Sequence, residues 1–228
     1  SEELLEKQAR LCLAMEEKVD ELDCCASTVQ CWDSLENNYG CAACLAMSMM
    51  GNHGKPSACE SDVTGAVSML AAGLAAGTPA ALMDWNNNVG EDRDRCVALH
   101  CSNFPRDFFG APIEIECLDV LGSTLGKENC FGACKGQVAP GEMTFLRLTT
   151  DDTGGVMKAY VGEGSFEAEP IPTKGGVAHC KVERLQQLLQ YICKNGFEHH
   201  VCFVRGHVAA ILEEALSTYM GIEVYRHS

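Results

Sequence analysis

The chain has 228 residues, 46% of them hydrophobic and 21% charged, which excludes a disordered protein and allows either one large domain or two ordinary ones. Seventeen Lys and Arg against 32 Asp and Glu leave a net charge of −15, which repels phosphate backbones and anionic lipid, so nucleic acid is excluded as a partner. The richest apolar stretch, residues 63–83, is broken by Gly73, Gly77, Thr78 and Pro79 before it reaches the roughly 18 residues of a membrane span, so no membrane partner is expected. The first residues, Ser1-Glu2-Glu3-Leu4-Leu5, form a charged helical pattern without the regions of a signal peptide, and the expected location is the cytoplasm.

From Glu2 to Val29 apolar residues recur at helical spacing (Leu5, Ala9, Leu13, Val19, Leu22), predicting an amphipathic helix. A second helical run covers Tyr39 to Met50, and Gly51 to Pro56 reads as a loop. A helix rich in small residues follows over residues 63–77. Ala80 to Trp85 and Arg95 to Cys101 read as short buried strands, the first ending in a carboxylate at Asp84 and the second in an imidazole at His100.

Beyond Pro105 the texture becomes β-rich. Ile113 to Leu121, Met143 to Thr149 and Val156 to Gly162 alternate with turn signals at Pro140-Gly141 and Asp152 to Gly155, which predicts an antiparallel sheet or small barrel. Helical spacing returns over Val182 to Cys193, closed by Asn195-Gly196, and over His207 to Met220.

The 15 cysteines are odd in number, and several, such as Cys12, Cys44, Cys193 and Cys202, fall in apolar periodic segments, where a free thiol behaves as a small hydrophobe. Reduced thiols are therefore expected. The spacings Cys41-x2-Cys44 and Cys130-x3-Cys134 lack a second pair and do not predict a structural zinc site.

Four segments carry polar residues where loops meet apolar elements: Cys59-Glu60-Ser61-Asp62-Val63-Thr64-Gly65-Ala66, Asp84-Trp85-Asn86-Asn87, His100-Cys101-Ser102-Asn103, and His199-His200 with Gly206-His207. Taken singly, each has a plain structural account. Ser61 or Asp62 caps a helix, Glu60 complements its dipole, the Asn run makes a turn, and His100 is a satisfied interior residue. Taken together, two carboxylates and two imidazoles make a mixed oxygen and nitrogen donor set suited to Mn, Co, Fe, Zn or Mg.

The same four motifs, in that order and ending with His199-x6-Gly206-His207, resemble the L-fucose/L-arabinose isomerase superfamily over roughly residues 59–207. The segment Gly136-Gln137-Val138-Ala139-Pro140-Gly141-Glu142-Met143 is similar to the start of a barrel strand there. The resemblance implies a metal-dependent aldose–ketose isomerase, working through an enediol on a small sugar with Mn²⁺ or another divalent cation as cofactor. It implies that Glu60 and Asp84 are both metal ligands and the acid/base pair, that His200 is a ligand, and that His100 is a further ligand as in the arabinose branch. Ser102 and Asn103 become substrate-hydroxyl donors, and His207 orients the last helix or a ligand.

The implied fold class is α/β plus β: the end of a Rossmann-like α/β domain over residues 1–90, then a small antiparallel β-barrel domain with helices over residues 91–228. The family's N-terminal domains are expected to be missing here, or supplied by a split-subunit partner, in a homo-oligomer. Two other classes fit the residues: a non-catalytic sugar-binding or assembly subunit that keeps the metal site, and a cysteine-rich redox or structural metal protein.

Overall fold

The computed structural model describes residues 2–110, 112–117, 119–173 and 175–228. Helix α1 (Glu2–Glu21) buries Gln8, Cys12 and Val19 on one side. It stops short of the predicted Val29, because Asp23 turns into the left-handed region at φ 51° and Ser27–Val29 form a strand, β1. That strand pairs in parallel with β2 (Ser57–Cys59). The helical run predicted over residues 39–50 is also divided. A short α2 (Glu36–Tyr39) ends at Gly40, whose φ of 76° closes a helix at no steric cost, and α3 (Cys44–Asn52) begins afresh. Helix α4 (Val63–Ala76) matches its prediction and is closed by Gly77 at φ 65°.

The remaining elements are β3 (Ala81–Val89), β4 (Asp92–His100), β5 (Glu114–Cys117), α5 (Asp119–Leu125), β6 (Phe131–Gln137), β7 (Gly141–Asp151), β8 (Val156–Glu167), β9 (Gly176–Lys181), α6 (Leu185–Asn195), β10 (His200–Arg205), α7 (Ala209–Glu213) and β11 (Glu223–Arg226). Six of the strands close a barrel in the order β8-β7-β10-β3-β4-β9, with β9 returning to β8, and every pair around the ring is antiparallel. The expected antiparallel barrel is therefore present, in a mixed α/β setting. Strands β11, β6 and β5 extend the sheet outside the ring.

The strand predicted from Ile113 to Leu121 is realised only as β5, and the chain turns helical at Asp119, a residue poorly suited to strands; Leu118 lies outside the described residues. The last predicted helix is α7 followed by a wider π-helical turn over Glu214–Tyr219. Residue 90 lies in the tight turn that joins β3 to β4, two hydrogen-bonded neighbours of the barrel.

Alternate residues of one strand serve two cores. Val201 and Phe203 of β10 join Phe145, Tyr160 and Met83 in one cluster, while Cys202 and Val204 pack with Leu146 and Leu148 against Ala66, Met69 and Ala72 of α4. Burial on both faces explains why Val201–Val204 reads as an unbroken apolar run. The small residues of α4 let it lie close to the sheet, where the Ser68 hydroxyl accepts the Leu148 N–H at 3.0 Å. All 15 cysteines are free; Cys193, read as part of an apolar segment, is exposed.

Candidate functional site

The register of β10 on β3 sets His200 directly opposite Asp84, so the two side chains leave the same face of the barrel. Glu60 reaches this place from the turn between β2 and α4. There Glu60 and Ser61 both adopt left-handed backbone angles, φ 57° and 56°, a consecutive pair that non-glycine residues rarely hold. His100 arrives at the end of β4.

These residues converge on one atom. His200 Nε2 lies 3.4 Å from His100 Nε2, 3.5 Å from Glu60 Oε2 and 3.6 Å from Asp84 Oδ1. Asp84 Oδ1 is buried with no hydrogen bond, and it also stands 3.6 Å from His199 Nε2. An unpaired buried oxygen of this kind costs about 1–3 kcal/mol unless a counter-charge meets it. Donors about 2.1 Å from a shared cation lie about 3–3.5 Å from one another, so the spacing here needs little adjustment to hold one. Glu60, His100 and His200 form one group of donors close enough to share a cation, and Asp84, His199 and His200 form another.

The opposite nitrogen of His200 is fully engaged. Nδ1 donates to Asp62 Oδ2 at 2.8 Å; a carboxylate only accepts, so Nδ1 carries a hydrogen and Nε2 is the nitrogen turned to the other groups. Asp62 is itself gripped by Arg147, whose Nη1 donates to Oδ2 and whose Nη2 donates to Oδ1 at 3.0 Å. The same Oδ1 caps α4 by accepting the Gly65 N–H at 2.8 Å, and a Cβ at residue 65 would collide with this carboxylate. Burial alone would raise the Asp62 carboxyl, but the bonds from His200, Arg147 and Gly65 hold it well below the usual carboxylate range.

Around His100 lie thiols. Cys101 Sγ is 3.1 Å from its Nδ1, and Cys59 Sγ is 3.4 Å from its Nε2. Burial lowers His100, yet Cys101, Asp84 and Glu60 together lift it above the ordinary histidine range. Cys101 itself is held well below the usual thiol value by its contacts with Cys44 and Cys59 and by His100.

A cavity of about 180 Å³ opens over Glu60, Asp84 and His100, with Trp32, Glu36 and Leu121 on its walls. Trp32 is half exposed there. Among the described residues, those lining it include no Lys or Arg.

Thus Glu60, Asp84, His100 and His200, predicted from separate motifs, come together. Ser102 and Asn103 do not join them. Both are buried, neither lines the cavity, and the Asn103 amide donates to the Ser57 carbonyl at 3.0 Å, tying β2 to the barrel. Ser102 Oγ and Asn103 Oδ1 have no hydrogen-bond partner among the described residues. His207 is exposed and sits at the Gly164 carbonyl, 3.3 Å away. Arg147 escaped notice in the sequence, although a charge inside the apolar run Phe145-Leu146-Arg147-Leu148 is a usable signal, since an arginine buried to 1% exposure needs a partner.

The sequence model of the family described as "L-fucose isomerase, C-terminal domain" matches residues 98–228, more than half of the chain. The chain belongs to this family. Outside the family model, the sulfoquinovose isomerase of Alkalicoccus urumqiensis is 27% identical over 218 residues, covering 92% of this chain and 46% of that protein. The sulfoquinovose isomerases of Priestia aryabhattai and Priestia megaterium are each 26% identical over 199 residues, covering 86% of this chain and 42% of theirs. The chain therefore spans less than half the length of these curated relatives. His100 and His200 lie within the matched segment, and Glu60 and Asp84 lie upstream of it.

Proposed function

We propose that this chain is the catalytic region of a cation-dependent aldose–ketose isomerase, with Glu60, Asp84 and His200 holding the cation. The observation that carries the proposal is the unpaired, buried Asp84 Oδ1 facing Nε2 of His200, with Glu60 alongside. A set of two carboxylates and imidazole favours a cation of intermediate hardness, and we assign Mn²⁺, with another divalent ion as substitute. His100, a further ligand in the arabinose branch, is given a different role below.

When bound, the cation supplies Lewis acidity to two neighbouring sugar oxygens. The rest falls to side chains. Asp62 fixes the tautomer and direction of His200, and Arg147 fixes Asp62. Glu60, 37% exposed on the cavity wall, removes the proton from C2 of an open-chain aldose while O1 gains one, giving an enediol. Loss of the O2 proton and return of a proton to C1 yields the ketose, with Asp84 as the second acid/base group. Trp32 offers an aromatic face to the apolar side of the sugar.

Residues before Ala81, with their parallel β1–β2 ribbon and helices, we read as the end of a Rossmann-like α/β domain. The seam goes before β3 rather than at residue 90, because β3 belongs to the barrel. We further propose a cytoplasmic homo-oligomer whose substrate pocket is completed by preceding domains or a partner subunit; unpaired cysteines suit a reducing compartment.

The test is isomerisation of L-fucose, L-arabinose and sulfoquinovose with and without Mn²⁺, in the unmodified protein and in Glu60→Gln. Turnover that needs no metal and survives Glu60→Gln overturns the proposal. Binding of metal and sugar without turnover favours the second reading, a sugar-binding or assembly subunit that keeps the metal site.

A further inference from the structure

Two cysteines, Cys59 and Cys101, meet His100, and two more from separate segments, Cys31 and Cys44, lie against those. Cys101 follows β4, Cys59 ends β2, Cys44 opens α3, and Cys31 lies just after β1. Cys101 Sγ lies 3.1 Å from His100 Nδ1 and 3.7 Å from Cys44 Sγ, and Cys59 Sγ lies 3.7 Å from the same Nδ1. Cys59, His100 and Cys101 are mutually close enough to share one cation. Cys202, by contrast, sits in the apolar cluster under α4, and Cys12 lies 3.5 Å from the sulfur of Met49.

The spacing has a chemical meaning. In a tetrahedral zinc site with Zn–S of about 2.3 Å and Zn–N of about 2.0 Å, sulfur donors stand about 3.8 Å apart and sulfur to nitrogen about 3.5 Å. The Cys44–Cys101 pair at 3.7 Å and Cys59, 3.4 Å from Nε2 and 3.7 Å from Nδ1 of His100, stand near those values, while Cys101, 3.1 Å from Nδ1, would draw back by a few tenths of an ångström. We propose that Cys59, Cys101 and His100 form a second metal site, thiolate-rich, with Cys44 beside Cys101 as the nearest fourth donor, that takes Zn²⁺ or a similarly soft divalent cation. Soft thiolates select such ions strongly over Mn²⁺, whereas the carboxylates beyond His200 also suit harder ions such as Mn²⁺, so neighbouring sites can load differently. The site clamps β2, α3 and β4 together just behind Glu60. It assigns His100 to the thiol site, and it stands whether or not the carboxylate site is catalytic.

Reduced, metal-free protein titrated with Co²⁺ is expected to develop a thiolate-to-cobalt charge-transfer absorption in the near ultraviolet, and with Zn²⁺ to retain one equivalent after gel filtration. The Glu60→Gln/Asp84→Asn double variant is expected to keep both signals while losing isomerase activity, which separates this site from the carboxylate one. Cys101→Ser is expected to lose both. No charge-transfer band in the unmodified protein overturns the proposal irrespective of how any variant folds. A band that persists in Cys101→Ser and in Cys59→Ser also overturns it, by assigning the signal to the exposed Cys24, Cys25 or Cys193.

Discussion

The two edges of the His200 ring are built on opposite principles. On the Nδ1 side every partner is satisfied: Asp62 accepts from His200, from both arms of Arg147 and from Gly65, and the whole chain is withdrawn from solvent. On the Nε2 side two carboxylates and a second imidazole crowd together with an unpaired oxygen, at the wall of a cavity. A folded chain tolerates such frustration only where rigid surroundings enforce it. One edge should therefore carry stability and the other activity.

The sharpest way to break that contrast is to neutralise the crowded side. Glu60→Gln and Asp84→Asn keep shape and remove charge, so each is expected to lower kcat about 10²–10⁴-fold, the usual range for a lost acid/base group. Thermal stability should hold or rise, because like charges have been relieved. A melting curve that falls steeply in either variant would move these carboxylates to the structural side.

Next in size is the reverse experiment on the satisfied side. Arg147 is buried to 1% exposure and grips Asp62; Glu198 lies 3.2 Å from its Nη2. Arg147→Ala leaves a buried carboxylate without its cation, which costs about 3–5 kcal/mol. Chemical denaturation should show the loss directly, and a variant as stable as the parent would deny the chain its supporting role.

The contrast also explains what could be read in the sequence. Glu60, Asp84, His100 and His200 each stand at the edge of an apolar run, so the turn at Glu60 and the strand ends at His100 and His200 were legible, as was the antiparallel barrel; Asp84 instead lies within β3, which runs on through the Asn residues expected to turn. The support behind them was not. Asp62 reads as a helix cap and is one, but its ties to Arg147 and His200 span 85 and 138 residues of sequence, and no local pattern announces them. The thiols around His100 were equally hidden, since Cys31, Cys44, Cys59 and Cys101 lie in four segments with no common spacing.

Asp62→Asn probes the join between the two edges, because it keeps a hydrogen-bond acceptor for His200 Nδ1 while removing the charge. Metal affinity is expected to fall about 10–100-fold, as for other carboxylates that orient a ligating histidine. The acid limb of stability should change as well. The native Asp62 carboxyl is held below its ordinary value of 3.8, so as pH falls the unfolded chain takes up the proton first. Its stabilisation is thus complete above about pH 4 and is lost as pH falls from there through the native value. The Asn variant should lack that part of the acid transition, and an unchanged acid limb would show that Asp62 is not the group responsible.

The smallest expected effect comes from the cavity rim, where the division predicts function without stability. Trp32 is 52% exposed and lines the cavity next to Glu60. If its ring packs on the sugar, Trp32→Ala removes a contact of about 0.5–1.5 kcal/mol, raising KM about 2–10-fold with kcat little changed. The melting temperature should stay within the scatter of surface substitutions, since an exposed ring has little burial to lose. A fall in kcat as large as that of Glu60→Gln would instead mean that Trp32 holds the Glu60 turn in place. The crowded edge would then depend on a second support, and the division between stability and activity would run through the cavity rather than along the His200 ring.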